Sequence, residues 1–347
     1  MNVLNDMERK QALFGMNLKQ LSAIVTELGM PAYTGKQIAE WIYKKYASDI
    51  EQMSNISKAN REKLAERFEL GISDPVKVQE SIDGTKKYLF RSLHGKFIEA
   101  AYMPEGRRHT LCVSSQVGCK MGCLFCMTGK QGFQGQLGAG EILNQIRSLP
   151  ERDLLTNIVY MGMGEPFDNL EAVMQSLDIL TGNDGFGMSP KRITVSTIGI
   201  IPAMKVFLES SNCHLAVSLH SPFEDERRKL MPIEHVYSLK EVLQAIREFS
   251  SGKQRRISFE YIVFKDLNHS QRHVNELARI LNGIRCRINL LRFHPIPNTP
   301  LASPDDLAIE AFREALEKKG IITTIRKSRG QDIYAACGLL STKGQQV

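Results

Sequence analysis

Up to about residue 70 the apolar positions recur at helical spacing. Ile38, Trp41 and Ile42 share one face ahead of Lys44 and Lys45, and SKANREKLAERFEL sets Leu64 and Phe68 four apart with charges between them. Over residues 75–105 the period shortens to alternating runs broken at Asp83-Gly84, His94-Gly95 and Glu105-Gly106, which are hairpin signals. From about residue 109 strand-like runs (HTLCVSS, NIVYMGM, RITVSTI, HLAVSLH, RISFEYIVF, RINLLRFH) alternate with helix-like runs (GEILNQIRSL, NLEAVMQSLDIL, IIPAMKVFLES, SLKEVLQAIREF, HSQRHVNELARIL, DDLAIEAFREALEKK). Ser238 with Glu241 reads as a capping box, and Ser303-Pro304 as a cap with proline at the first helical position. Parallel strands need crossover connections, so these units predict an α/β chain built on a parallel sheet. Six βα units are too few for a closed eight-stranded barrel and suit a partial (βα)6 barrel. The predicted divisions are a small N-terminal helical domain over 1–74, a β-meander extension over 75–108, and a βα core over 109–347.

Composition narrows this modestly. The chain has 347 residues, 42% of them hydrophobic and 24% charged, enough for a full core and against disorder. The N-terminus lacks an apolar run of signal-peptide length, and no run of about 18 apolar residues occurs, so secretion and a membrane span are not expected and a cytoplasmic location is. A net charge of +7 is compatible with nucleic-acid binding without requiring it. Basic residues cluster at Lys44-Lys45, Lys58 to Lys63, Lys253 to Arg256 and Arg326 to Arg329, the last just ahead of Cys337. Seven cysteines in a reducing compartment point to metal ligation or thiol chemistry rather than a disulfide framework.

The chemistry concentrates in CVSSQVGCKMGCLFCMTGKQGF, where Cys119, Cys123 and Cys126 follow a C-x3-C-x2-C spacing. Four-iron clusters take four cysteine ligands as a rule, so three in one loop leave an iron open to a ligand. That spacing resembles the signature of the radical S-adenosylmethionine superfamily. The alternative is a structural zinc site with Cys112 as fourth ligand, although zinc sites of this size pair two separated knuckles. Active sites of parallel α/β barrels lie at the C-terminal strand ends. Unusual motifs stand at such ends: Gly162-Met163-Gly164-Glu165-Pro166, Ser196-Thr197-Ile198-Gly199, Ser218-Leu219-His220-Ser221 and Arg292-Phe293-His294-Pro295. Glycine lets backbone approach a ligand, while serine hydroxyls and the Glu165 carboxylate can hold ribose and amino groups. Cys213 and Cys286 read as small core residues.

Long motifs go further. QIAEWIYKK, TLCVSSQVGCKMGCLFC, MGMGEPFDN, ITVSTIGIIP, SLHSP with RRKLMPI, and RKSRGQDIYAACG resemble the RlmN/Cfr family of bacterial radical methyltransferases, closest to its RlmN branch, from about residue 30 to 342. The resemblance implies methylation of carbon 2 of adenine in 23S rRNA and tRNA, with a [4Fe-4S] cluster on Cys119, Cys123 and Cys126 and two S-adenosylmethionine molecules per turnover. It implies cofactor binding by Gly164, Glu165, Ser196, Ser218, Leu219, His220 and His294, where His294 stands in place of the family's common Asn. It further implies that Cys337 carries the methyl group, that Glu99 is the base, and that Cys112 resolves the protein–RNA adduct through a transient disulfide with Cys337. A flavodoxin-type electron donor and a monomeric state complete the expectation. The alternatives are Cfr-like methylation of carbon 8, a different radical activity that needs no Cys337, and a zinc-stabilised RNA-binding adaptor.

Overall fold

In the computed structural model, which describes residues 10–249 and 256–342, ten strands form one sheet whose order follows the chain. The first four are antiparallel: β1 (Lys77–Glu80), β2 (Lys86–Arg91), β3 (Phe97–Glu105) and β4 (Arg108–Cys112). Gly84, Gly95 and Gly106 turn the chain between them with φ of +80°, +72° and +57°, as the hairpin signals predict. From β4 onward pairing is parallel, through β5 (Asn157–Tyr160), β6 (Ile193–Thr197), β7 (His214–Ser218), β8 (Ile257–Val263), β9 (Cys286–Arg292) and β10 (Thr323–Ile325). Among the described residues no pairing closes β10 back onto β4, so the sheet has the open form expected of a partial barrel.

Two features exceed the sequence reading. The meander is continuous with the parallel sheet, because Cys112 on β4 faces Ala101 on one side and Val159 on the other. A seventh parallel strand, β10, follows the last helix; three residues are too short to show a period.

The crossover helices match the predicted runs within two residues at each end: α5 (Ala139–Arg147), α6 (Leu170–Thr181), α7 (Ile201–Ser210), α9 (Leu239–Phe249), α10 (Gln271–Leu281) and α11 (Asp306–Lys318). Short helices α4 (Met127–Gln131) and α8 (Glu224–Leu230) interrupt the series beside the strand ends. At α9 the capping box forms: Ser238 Oγ accepts from Glu241 N at 3.3 Å and Glu241 Oε2 accepts from Ser238 N at 2.9 Å. The start predicted at Ser303-Pro304 is corrected, since α11 is capped by Asp305, whose carboxylate accepts from Ala308 N at 2.7 Å. A carboxylate two residues on serves the orphan amides of the first turn and adds favourable charge at that helix end.

The chain forms two units. One comprises the chain up to Asp74 with Leu137–Arg152 and Glu171–Ser189, so α5 and nearly all of α6 group with the N-terminal helices α1 (Leu18–Glu27), α2 (Thr34–Tyr43) and α3 (Lys58–Arg67). Ile38 and Ile42 are buried as their spacing implies, whereas Phe68, expected on the helix face with Leu64, lies just past the end of α3 and is buried from an extended position. The other unit, Pro75–Gln136, Asp153–Leu170 and Pro190 onward, holds the sheet and every residue of the site below. Its core is made by the strands, with Val195, Phe259, Tyr261, Ile288 and Leu290 fully buried. Cys213 is buried and Cys286 half-buried, in keeping with their reading as core residues.

The basic clusters on the helices are largely paired. Lys45 reaches Glu40 at 3.0 Å and sits over the Trp41 ring, and Arg61 reaches Glu51 at 3.2 Å. Lys253 to Arg255 of the third cluster lie outside the described residues.

A candidate cofactor and thiol site at the strand ends

Past β4 the chain makes a two-residue pairing, Gln116–Val117 with Gly135–Gln136, that pins both ends of the cysteine loop. Gly118 is required inside it: its φ is +72°, and a Cβ there would stand 1.7 Å from Gly132 O. Cys119 and Cys123 are buried and Cys126 is half-buried at the start of α4. Burial, reinforced by the neighbouring cysteines, pushes the Cys119 thiol up to about 12 and raises that of Cys123 as well. All three line one cavity that encloses about 840 Å³ with its mouth. Among the described residues no three His, Cys, Asp or Glu side chains are grouped closely enough to hold one metal ion.

The predicted rim motifs largely surround that cavity. Gly164, Glu165, Ser196, Ser218 and His220 line it. Gly164 has φ of +102° and packs on Gln116, 2.6 Å from where its Cβ would be. Glu165 does more than face a ligand. Its carboxylate accepts from Thr197 Oγ1 at 2.6 Å, Phe167 N at 3.1 Å and Ile198 N at 3.1 Å, tying the ends of β5 and β6 together. Burial pushes it up to about 7 against those hydrogen bonds. Leu219 is not in the cavity wall: its side chain is core, and its N–H donates to Glu260 O at 2.9 Å.

His220 is fixed in a neutral form. Its Nδ1 accepts from Ile262 N at 3.0 Å, which leaves the proton on Nε2, and Phe125 packs edge-on against the ring. Burial lowers it from the usual value near 6.5 to about 3. The unfolded chain therefore takes up a proton on this residue between about pH 6.5 and 3 and the folded chain does not. Stability contributed by neutral His220 is complete above that window and is lost as pH falls through it. Denaturant titrations of the cofactor-free protein should show a shallower fall between pH 6 and 4 in His220→Gln than in the parent; equal slopes would contradict the assignment.

The motif RRKLMPI is structural support for the rim. Arg227 is completely buried, pairs with Glu234, and donates to Ile198 O at 2.9 Å and Ser218 O at 3.2 Å, the carbonyls that end β6 and β7. Leu230 O accepts from Leu124 N at 2.9 Å, so α8 also holds the cysteine loop.

A second cavity adjoins the first. Cys112 and His294 line it, whereas Met161, Leu291, Arg326 and Cys337 line both cavities. Cys337 thus stands at the junction, with the cluster cysteines on one side and Cys112 on the other. Its residue is solvent-exposed, yet the protein around the sulfur raises the thiol while Arg326 pulls it down. Burial raises Cys112 too, and Cys337 beside it adds to the effect. All seven cysteines are free thiols, so the expected Cys112–Cys337 disulfide is not a feature of this state. His294, half-buried, is lowered by burial and by Arg292.

Glu99 is the base that the family resemblance implies. It is buried on β3, pairs with Lys87 at 3.0 Å, and accepts from Ser341 N at 3.0 Å, four residues beyond Cys337. It touches the C-terminal segment and is in neither cavity wall. That segment is tied on both sides of Cys337: Gly330 N donates to Asp83 Oδ2 at 2.9 Å, and Met127 N donates to Gly338 O at 2.8 Å. The Arg326 to Arg329 cluster lines the second cavity as a whole. Arg326 faces the cavities near Glu260, and Lys327 and Arg329 both reach Glu105.

Comparisons with known proteins agree with this geometry. Residues 11–70 match the ribosomal RNA large subunit methyltransferase N-terminal domain, and residues 113–278 match the radical SAM superfamily. The chain is 56% identical to a probable dual-specificity RNA methyltransferase RlmN of Parabacteroides distasonis, over 96% of this chain and 97% of that one. It is 41% identical to the dual-specificity RNA methyltransferase RlmN of Nitratiruptor, over 90% and 94%. A crystal structure of a radical SAM methyltransferase from Sphaerobacter thermophilus superposes with a TM-score of 0.89 at 40% identity, covering 95% of this chain and 99% of that one.

Proposed function

Because the chain belongs to the RlmN family of radical S-adenosylmethionine RNA methyltransferases, we propose that it methylates carbon 2 of adenine in 23S rRNA and tRNA through a methylated Cys337. Membership displaces the adaptor reading, and carbon 2 rather than carbon 8 is what the resemblance of the motifs to the RlmN branch implies. The observation that carries the mechanism is the position of Cys337 between the cavity of Cys119, Cys123 and Cys126 and the cavity of Cys112.

The three loop cysteines fit a four-iron cluster with one open iron: they share one cavity wall, affect one another's protonation, and have no fourth cysteine in the loop. When bound, the cluster supplies the electron that cleaves the sulfonium of S-adenosylmethionine. The protein's own part begins at Cys337, whose sulfur takes a methyl group from one S-adenosylmethionine and gives up its proton. Arg326 favours the thiolate that this needs. The S-methyl group of Cys337 would lose one hydrogen atom to the radical that a second S-adenosylmethionine supplies, and its carbon would bond to the adenine ring, leaving one unpaired electron that the oxidised cluster would take back. Glu99 takes the ring proton once the C-terminal segment releases its carboxylate from Ser341 N. Cys112, next to Cys337, attacks the Cys337 sulfur as its thiolate and forms the disulfide, and the carbon that leaves that sulfur takes up a proton to become the methyl group of the freed RNA. The target base must leave its stack to enter.

Gly164, Ser196, Ser218 and His220 in the cavity wall support two uses of S-adenosylmethionine at one site, with the backbone of Leu219 and the ring of His294 supporting from behind and beside it. We place the reaction in the cytoplasm, with a flavodoxin-type donor and a monomeric enzyme; no described helix is long and apolar enough to cross a membrane. The test is to incubate the iron-loaded protein with S-adenosylmethionine, a reductant and an RNA hairpin, then digest the RNA. 2-Methyladenosine is expected; 8-methyladenosine, or cofactor cleavage without methylated RNA, would overturn the reading.

A further inference from the structure

Glu260 lies on β8, a strand whose seven residues are all buried. Strand register sets Ser218, Glu260, Asn289 and Thr324 side by side across β7, β8, β9 and β10. Asn289 Nδ2 donates to Glu260 Oε1 at 2.7 Å, and Thr324 Oγ1 donates to Asn289 Oδ1 at 2.8 Å. The other carboxylate oxygen, Oε2, is buried and has no hydrogen-bond partner among the described residues. Its side chain lines the cavity of the cluster cysteines. Arg326 lines the same cavity with Nε 3.8 Å from Oε2, beyond hydrogen-bond reach, and is held charged chiefly by Glu260. A buried charged acceptor without a donor is costly, so one beside a cavity calls for a donor from whatever enters.

The neighbouring wall is apolar, with Met161, Ile198, Ile262 and Leu291. We infer that Glu260 and Arg326 together read one edge of an adenine ring. Oε2 accepts from the exocyclic amine, the guanidinium donates to a ring nitrogen beside it, and the apolar wall takes the faces of the ring. Adenine presents that donor next to an acceptor, whereas guanine would set a carbonyl oxygen against Oε2. A site built on such a pair rejects a ring lacking the amine, because its own buried groups are then left unpaired. The inference rests on the adenine-methylating reading above, under which two adenines reach this cavity: that of S-adenosylmethionine and the RNA target.

Glu260→Gln removes the acceptor at nearly constant volume. On iron-loaded protein, the Kd for S-adenosylmethionine is measured by equilibrium dialysis, and that for an RNA hairpin by fluorescence anisotropy. A loss of about 10- to 100-fold is expected in one of the two, the size of a hydrogen bond to a charged group, with iron content and melting temperature held. Purine riboside at the RNA target, and the 6-deamino analogue of S-adenosylmethionine, remove the partner from the ligand side. The analogue of the adenine that is read should cost the parent the same factor and cost Glu260→Gln nothing more. Unchanged affinities in both arms would overturn the inference and leave Oε2 to solvent. Should Glu260→Gln fail to fold, the two analogues on the parent protein decide alone, and no loss with either overturns it. Failure here is distinct from failure of the function: the parent would still form 2-methyladenosine.

Discussion

Cys337→Ala should reduce RNA methylation to background, whereas Cys112→Ala should leave the enzyme joined covalently to its RNA. The asymmetry comes from position. Cys337 alone among the cysteines lines both cavities, so it can meet the cofactor on one side and the resolving thiol on the other. Without its sulfur there is no site to carry the methyl group, and adenine carbon 2 is not nucleophilic enough to take a methyl from a sulfonium directly. Cys112 is needed only after the carbon–carbon bond exists, so its loss stops the cycle one step from the end. Denaturing gels with end-labelled RNA should show a shifted band with Cys112→Ala, none with Cys337→Ala, and none with the double variant. A soluble, uncrosslinked and active double variant would remove both thiols from the account. Iron content should be the parent's in all three, since neither residue lies in the cysteine loop.

Arg227→Met should destabilise the cofactor-free protein by about 3–5 kcal/mol, the range for breaking a buried pair. The guanidinium is completely buried, and its removal strands the Glu234 carboxylate and deprives Ile198 O and Ser218 O of their donor. Those carbonyls end the two strands that present Ser196 and Ser218. Replacing Glu234 by leucine as well should recover part of the loss, because the stranded charge goes with it. Recovery should be incomplete, because Glu234 also accepts from Leu239 N at 3.0 Å at the start of α9. Urea unfolding of the parent and both variants measures this. A single variant within about 0.5 kcal/mol of the parent, the range of ordinary surface changes, would show that the clamp is dispensable.

The sequence made the periodic parts of this fold legible and hid those that depend on register. Each crossover helix and its strand announce themselves in apolar spacing, and hairpin glycines mark the meander. What spacing could not show is that β4 belongs to both the meander and the parallel sheet, since only pairing on both sides of Cys112 reveals it. At the site, the cysteine loop is a local pattern and was legible as such. Arg227 stands in the RRKLMPI motif, whose spacing gives no sign of the clamp it makes. Glu260 carried one signal, a carboxylate inside a strand that is apolar but for Ser258, and its row with Ser218, Asn289 and Thr324 exists only once four strands are aligned. Glu99 shows the converse. Taken alone it reads as an exposed strand residue, yet it is buried against Lys87 and the C-terminal segment.

The most direct test of the central claim follows one methyl group. Protein is prepared with a 13C-labelled methyl on Cys337, freed of labelled S-adenosylmethionine, and reacted once with unlabelled S-adenosylmethionine, a reductant and RNA. Mass spectrometry of the digested RNA should find 2-methyladenosine carrying the label in its first turnover. Unlabelled product in that turnover would mean that the methyl group reaches adenine without passing through Cys337.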